Sequence, residues 1–378
     1  MCVSPTENHA PIRIAIIGCG HVCPVYLRTA MQFDCLKFIA CADIIPERAV
    51  AMAAMCGARA ATVEEVINAP DVDLVVNLTP ITEHHAISCA ILTAGKHLYS
   101  EKPLASTEVQ LAEIIALSAD RGLQVGAAPD TFLGAGLQTV RALIDSGAIG
   151  RPVGFAVHML SRGNETWHPA PHFMYRPGGG PLMDFGPYAI TAITALLGPA
   201  AAVTAAASQA FGQRTITSEP LKGQKIKVTT PTHYTALLEL ECGIHGSIIC
   251  SYDTPANGGS PLEIFGTEGS IRGANPSTFG GPILWRRIED ATNTWREAEL
   301  KHGFAENSRG LGLADLARCM RSGDAPRAGI ARAKHVMEVI HAALNSAECG
   351  RKMPVSTRVN RPHRLPADAE QTFRLEAE

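Results

Sequence analysis

Two glycines and one acid restrict this chain more than any other feature. Gly18-Cys19-Gly20 follows the apolar run Ile12 to Ile17 (IRIAII) without a spacer. Asp43 follows a second run, Leu36 to Ala42, and lies 23 residues after Gly20. A helix-like stretch separates the two. A buried parallel strand, a glycine turn, a helix and a second strand ending in an acid are the parts of a dinucleotide-binding unit. Gly18 permits the tight turn, and Gly20 lets the backbone approach a pyrophosphate. Amide dipoles at the helix start favour the phosphate charge, and the carboxylate can accept hydrogen bonds from an adenosine ribose. Cys23 stands where the pattern has its third glycine and is small enough for close helix–strand packing.

The first part of the chain alternates strands and helices. Strands are expected at Ile12–Ile17, Leu36–Ala42, Leu74–Leu78, His97–Ser100 and Leu123–Ala127, and helices at Cys23–Met31, Pro46–Cys56, Thr62–Ile67, Glu83–Ala94 and Glu108–Asp120. Such alternation gives a parallel sheet covered by helices on both faces, doubly wound by the right-handed crossover rule. After about residue 128 the texture changes to β-rich runs: Val153–Met159, Val203–Ala207, Tyr234–Leu240, His245–Ser251, Glu263–Gly266 and Ile283–Arg287, with turn clusters such as PANGGSP between them. The expectation is α/β: a Rossmann domain over residues 1–128, then an α+β domain over 129–378 with an open-faced, mostly antiparallel sheet. Two late helices, Gly312–Arg321 and Ala331–Cys349, complete it, and the polar tail from Arg351 reads as an extended or partly disordered arm.

At 378 residues the chain can bury two cores. Its formal net charge of -3 argues against a nucleic-acid surface. No apolar stretch reaches the roughly 18 residues that cross a membrane. MCVSPTENHAP lacks the basic start and apolar core of an export signal, so the 11 cysteines read as reduced thiols and the location as cytoplasmic.

Thr79-Pro80 ends the third expected strand, at the edge where ligands bind in open α/β sheets. Glu101-Lys102-Pro103 follows the fourth at the same edge. A lysine there can move a proton or orient a substrate hydroxyl, though EKP alone also fits a surface lysine after a strand.

Five elements occur in order: GCG, a strand ending in Asp43, TP-x-x-x-H, AGKH-x-x-x-EKP, and GGGPLMDFGPY. Together they resemble the glucose–fructose oxidoreductase / inositol dehydrogenase family over roughly residues 12 to 350. The resemblance implies an NAD(P)-dependent enzyme acting on a hydroxyl or carbonyl of a sugar, cyclitol or related compound. It implies a cofactor-binding set of Gly18, Gly20, His21, Val22, Asp43, Arg48, Thr79, Pro80, His84, Glu101 and Lys102, with a cis Lys102-Pro103 bond. The family's usual second-domain motif is GG-x-L-x-D-x-G-x-H-x-x-D. Here Asp184 takes the first acid, Tyr188 the histidine and Thr191 the last acid. Lys102 and Tyr188 become the catalytic pair, since a phenol beside an ammonium ionises more readily than a free one. The alternative is that Tyr188 is a helix-face aromatic packed on the core.

Substrate contacts are expected from Trp167, His168, His172 and Tyr175 in the loop before Gly178–Gly180, where aromatic faces and hydrogen-bonding groups suit a carbohydrate. Asp130, His158, Asp184 and Tyr188 join them, although AAPDTF around Asp130 departs from the arginine or asparagine common in the family. Neither the cysteines nor His168 and His172, which lie in a Pro-rich loop without a carboxylate at ligand spacing, make a metal set, so no metal is expected. Asp43 favours NAD over NADP. An open sheet face predicts a homodimer or homotetramer. Two other functions fit the same fold: glycoside cleavage by transient ring oxidation, and a non-catalytic dinucleotide-binding regulator.

Overall fold

The computed structural model describes residues 10–255, 259–290, 294–366, 369 and 373. The first nine residues, which carry most of MCVSPTENHAP, lie outside it, as do residues 256–258 of PANGGSP. Two units divide the chain.

The first unit contains residues up to Asp130 and Ser308–Ile330. Its elements run β1 (Ile12–Ile17), α1 (Cys23–Ala30), β2 (Leu36–Ala42), α2 (Pro46–Cys56), β3 (Arg59–Ala61), α3 (Val63–Asn68), β4 (Leu74–Asn77), α4 (Ile81–Thr93), β5 (His97–Ser100), α5 (Glu108–Asp120) and β6 (Val125–Ala127). Local chemistry sets several boundaries. Pro46 opens α2 and Gly57, at φ +68°, ends it in the left-handed region. Thr62 and Glu65 close a reciprocal cap on α3, a device worth about 1 kcal/mol. The strands are parallel in the order β3-β2-β1-β4-β5-β6. Strands buried on both faces demand continuous apolar runs, and Ile14, Ile16, Leu74, Val75, Val76 and Leu98 are fully buried. The strand order reverses at β1, between β2 and β4. The loops leaving β1 and β4 therefore diverge and open a crevice at their C-terminal ends.

The second unit contains residues 131–307 and 331–367. It holds α6 (Ala135–Asp145), β7 (Pro152–Leu160), α7 (Pro181–Leu197), β8 (Ala200–Ser208), β9 (Gln213–Thr215), β10 (Lys225–Lys227), β11 (His233–Leu240), β12 (His245–Ser251), β13 (Leu262–Gly266), β14 (Gly269–Gly273), β15 (Leu284–Arg287) and β16 (Arg296–Glu297). Then come α8 (Leu311–Ser322), α9 (Ile330–Cys349) and β17 (Met353–Pro354). The large sheet runs β16-β15-β14-β13-β7-β12-β11-β8-β17. It is mixed, because β7 and β12 pair in parallel at its centre while its other pairs are antiparallel. Helix α7 packs on β7, β11 and β12. The face beneath it carries Phe155, Val157, Met159, Tyr234, Leu238 and Ile248, all buried. Each such side chain is worth about 1.5–3 kcal/mol relative to exposure.

Helix α8 departs from the expected domain limits. Leu313, Leu316 and Ala317 are fully buried, α8 packs on β6 and α1, and Ala127 N–H donates to Ala328 O at 2.8 Å. Residues 308–330 therefore belong with the first unit. Over residues 351–366 the tail is extended: Val355 N–H bonds Ala201 O at 2.8 Å, and Leu365 N–H bonds Gln138 Oε1 at 2.8 Å. Among the described residues no helix is long and apolar enough to cross a membrane, and ten cysteines carry free thiols.

Candidate active site

Gly18 leaves β1 at φ +99°, and a Cβ there would lie 2.5 Å from the Leu78 carbonyl carbon. No other residue fits a turn this close to the end of β4. Gly20 differs: a Cβ on it would meet nothing within 4 Å. Its bare backbone borders open space at the start of α1, the arrangement a pyrophosphate requires. Val22 caps α1 and His21 is exposed beside it. Asp43 locks the turn to β2. Its Oδ2 accepts from Cys19 N–H at 2.7 Å and its Oδ1 from Ile45 N–H at 2.9 Å. The carboxylate thus stands beside the glycine turn, and Arg48 is exposed in the first turn of α2. These residues fit a dinucleotide.

The loops after β4 and β5 are tied together by two buried side chains. Asn77 donates to His84 O and Ser88 Oγ, both at 3.1 Å. Its Oδ1 accepts from Thr79 N–H at 3.2 Å and Thr79 Oγ1 at 2.6 Å. The Asn77 amide is fully used. The His84 ring reaches Pro103 O at 2.7 Å and Thr79 O at 2.8 Å. Both its nitrogens face backbone carbonyls and the side chain is 2% exposed. It braces the two loops and does not line the cleft, which corrects the expectation that it contacts cofactor. The Lys102-Pro103 bond is cis. Glu101 accepts from Tyr26 Oη at 2.8 Å and from Lys102 N–H at 2.9 Å. Burial, then the Glu101 charge, pushes the Tyr26 phenol well above its ordinary value, so it stays a donor.

In the second unit the glycine triplet lets α7 begin tightly. A Cβ on Gly179 would lie 2.4 Å from Phe173 O, and Gly180 has φ +92°. Asp184 sits in the first turn of α7, and Tyr188 follows one turn later on the same face, half-buried. Asp184 Oδ2 accepts from Asn164 Nδ2 at 3.0 Å and Tyr252 Oη at 2.9 Å. Burial, then the Asp184 charge, raises the Tyr252 phenol well above its ordinary value. Behind these lies a buried network. Tyr175 Oη donates to Glu165, Glu165 pairs with Arg214 at 2.7 Å, and Arg214 pairs with Asp253. Tyr175 and Tyr252 also belong to a buried cluster with Ile216, Ile226 and Val228.

Three expected substrate contacts lie elsewhere. Asp130 is 1% exposed and accepts from Gly310 N–H at 2.9 Å and Gly312 N–H at 3.0 Å, capping α8. Burial pushes its carboxyl up. His158 alternates with buried Phe155, Val157 and Met159, so it lies on the sheet face away from α7, its ring at 3.3 Å from Ser260 O. Tyr175 is fully buried and its hydroxyl is taken by Glu165. Trp167 and Phe173 remain exposed, with the His168 ring edge-on to both, and His172 is half-buried in the same loop. Sequence reading missed Tyr26, Asn77, Asn164, Glu165, Arg214, Tyr252 and Asp253. Only Asn77 carried a signal, a polar residue inside the apolar run LVVNL.

A family model described as "Oxidoreductase family, NAD-binding Rossmann fold" matches residues 12–128, and one described as "GFO/IDH/MocA C-terminal domain" matches residues 137–272. A 1,5-anhydro-D-fructose reductase from Ensifer adhaerens is 27% identical over 230 residues, covering 59% of this chain and 63% of the reductase. A trans-1,2-dihydrobenzene-1,2-diol dehydrogenase from Oryctolagus cuniculus is 24% identical over 269 residues, covering 69% of this chain and 74% of its own. The chain thus spans a little under two thirds of the reductase. Among solved structures, a levoglucosan dehydrogenase in complex with NADH has a TM-score of 0.78 at 21% identity, covering 92% of this chain and all of its own. At that identity the likeness establishes the fold. Both units match the same family, and the chain belongs to the GFO/IDH/MocA oxidoreductases, with an NAD-binding Rossmann domain.

Proposed function

We propose that this oxidoreductase uses NAD in preference to NADP and acts on a hydroxyl or carbonyl carbon of a sugar, cyclitol or sugar derivative. Asp184 and Tyr188 carry the reading. They share one face of α7, and Asn164 and Tyr252 hold the acid in place. When bound, NAD supplies the hydride acceptor. In the oxidising direction Tyr188, ionised to the phenolate by prior loss of its own proton to solvent, takes the proton of the substrate hydroxyl at Oη, and Lys102 is the second residue of the proposed proton transfer. Asp184 orients the hydroxyl by accepting from the substrate. Exposed Trp167 and Phe173, with His168 and His172, offer apolar faces and hydrogen-bonding groups to the ring.

The names of the relatives, a sugar-derivative reductase and a diol dehydrogenase, support a polyhydroxylated substrate. Asp43 beside the glycine turn supports NAD, because a ribose 2′-phosphate would meet its charge. The sheet face away from α7 exposes Leu237 and Phe265, which supports pairing of two copies into a dimer or tetramer. The free thiols support a cytoplasmic location.

A panel of sugars, cyclitols and glycosides, followed at the nicotinamide absorbance, tests the reading. Steady NADH formation with one polyol supports it. Glycoside cleavage without net NADH, or NAD binding without turnover of any compound, replaces it with the hydrolytic or regulatory function.

A further inference from the structure

We propose that His85, Cys89 and Glu113 form a binding site for a divalent transition metal of the zinc class, where α4 meets α5. His85 and Cys89 are four residues apart on α4 and so share one face. Glu113 comes from the adjacent helix α5. The three ligand atoms all lie within 4.8 Å of one another, and His85 Nε2 stands 2.8 Å from Glu113 Oε2. Around a tetrahedral zinc with bonds of about 2.0–2.3 Å, donors stand about 3.5 Å apart. Entry of the ion therefore asks the imidazole and carboxylate to part by about 0.7 Å and the sulfur to approach by up to about 1.3 Å. The Glu113 side chain is 55% exposed, so it can make this adjustment.

One imidazole, one thiolate and one carboxylate form a mixed N, S, O set. That set suits zinc and its neighbours and not magnesium or calcium, which take oxygen ligands. Three protein ligands leave a fourth tetrahedral position for water. Coordination displaces the thiol proton to bulk solvent and changes no oxidation state. The bound ion staples α4 to α5 one residue from His84, the brace between the Thr79 and Pro103 loops. The expectation of no metal weighed His168, His172 and the cysteines along the sequence, where nothing brings Glu113 to the His85 and Cys89 face of α4.

The test uses the full chain, reduced, with Co²⁺ as a visible stand-in for Zn²⁺. We expect a thiolate-to-cobalt absorption that saturates at one equivalent and is displaced by Zn²⁺. Cys89→Ser should abolish it. Glu113→Gln should weaken binding by at least about 10-fold, since loss of even an outer-shell partner costs 10–100-fold. Zn²⁺ should raise the melting temperature of the wild type, raise that of Glu113→Gln less at the same concentration, and leave Cys89→Ser unchanged. Circular dichroism confirms that the variants are folded, and the exposed Glu113 position serves should Cys89→Ser be unstable. The proposal is overturned if folded wild-type protein shows no thiolate band. It is overturned equally if the band persists in Cys89→Ser, which places the metal on other thiols.

Discussion

Replacing Asp43 with asparagine separates the turn-holding role that the structure shows for this carboxylate from the cofactor-selecting role proposed for it. Its oxygens accept backbone N–H groups from Cys19 at 2.7 Å and Ile45 at 2.9 Å. An asparagine keeps one acceptor and turns an amide toward the other donor. Hydrogen bonds to a charged group are worth about 1.5–3 kcal/mol each. With one lost and one weakened at a partly exposed site, the variant should lose about 1–3 kcal/mol of stability. That corresponds to about 2–4 °C in Tm per kcal/mol for a unit of this size. The same change loosens the glycine turn, so affinities for NAD and NADP should fall together. The second role is electrostatic. At about 5 Å and an effective dielectric of about 20–40, Asp43 repels each unit of 2′-phosphate charge by about 2–3 kcal/mol. This is about 30- to 150-fold in affinity. Wild-type protein should therefore prefer NAD by about that factor, and Asp43→Asn should bring the ratio to within a few-fold of one. The preference should shrink as salt rises, because the site is open to solvent. Calorimetric titration with both dinucleotides at two salt concentrations measures the ratio. Equal wild-type affinities, or a ratio that Asp43→Asn leaves unchanged, refute the assignment.

The proton-transfer proposal makes two further predictions. Tyr188→Phe keeps the ring and removes the hydroxyl, so turnover should fall by about two to four orders of magnitude with little change in Tm; near-normal turnover moves the role to His168 or His172. Lys102→Ala should bind NAD almost normally yet lose about 100-fold or more in kcat, read by steady-state kinetics beside a dinucleotide titration. Stability should respond to acid through Glu338. Burial opposes its ionisation, but hydrogen bonds from Ser356 and Thr357 outweigh this and hold the carboxyl at about 2. That is below an unfolded value of about 4.3, so its contribution is present above pH of about 4.3 and lost as pH falls through about 2. After discounting for solvent, Glu338→Gln should cost about 1 kcal/mol at pH 7 and nothing once the carboxyl is protonated, as denaturant melts at both pH values would show. Light scattering at micromolar concentration should report a dimer or tetramer, and a monomer would leave the Leu237 and Phe265 face without its proposed partner.

Local rules carried the first unit far. IRIAII, LKFIACA and HLYS become β1, β2 and β5 with the bounds their apolar runs suggest. Parallel strands covered on both faces favour apolar residues, and Pro46 with Gly57 punctuates α2. The omissions have local causes too. RAA in β3 is three residues with no alternation to read. In α6, AGLQTVRALID, the glycine argues against a helix until its packing is known: a Cβ on Gly136 would sit 2.0 Å from Gly280 O. That close approach is made by residues more than 140 positions later, beyond any window. The docking of α8 on β6 and α1 has the same origin, since an amphipathic pattern identifies an apolar face and not the surface that covers it.

The candidate site divides along the same line. Gly18, Gly20 and Asp43 were legible because their roles depend on backbone conformation and on spacing along one βαβ unit. His84 was expected to contact cofactor, and Asp130 and Tyr175 substrate, but their hydrogen-bonding capacity is taken up by partners the spacing does not reveal. His84 is held by two carbonyls, Asp130 by the amides that start α8, and Tyr175 by Glu165. Arg214 shows why such partners escape a linear reading. It lies 49 positions from Glu165 and 39 from Asp253. Its guanidinium is 3% exposed, so it is tolerable there only because both acids meet it. A motif names the residue that chemistry requires. The same side chain is available to substrate only to the extent that the fold leaves its donors and acceptors unclaimed. At Asp184, Asn164 and Tyr252 both bond Oδ2, so the part proposed for this acid toward substrate is played by a carboxylate the fold already holds in place.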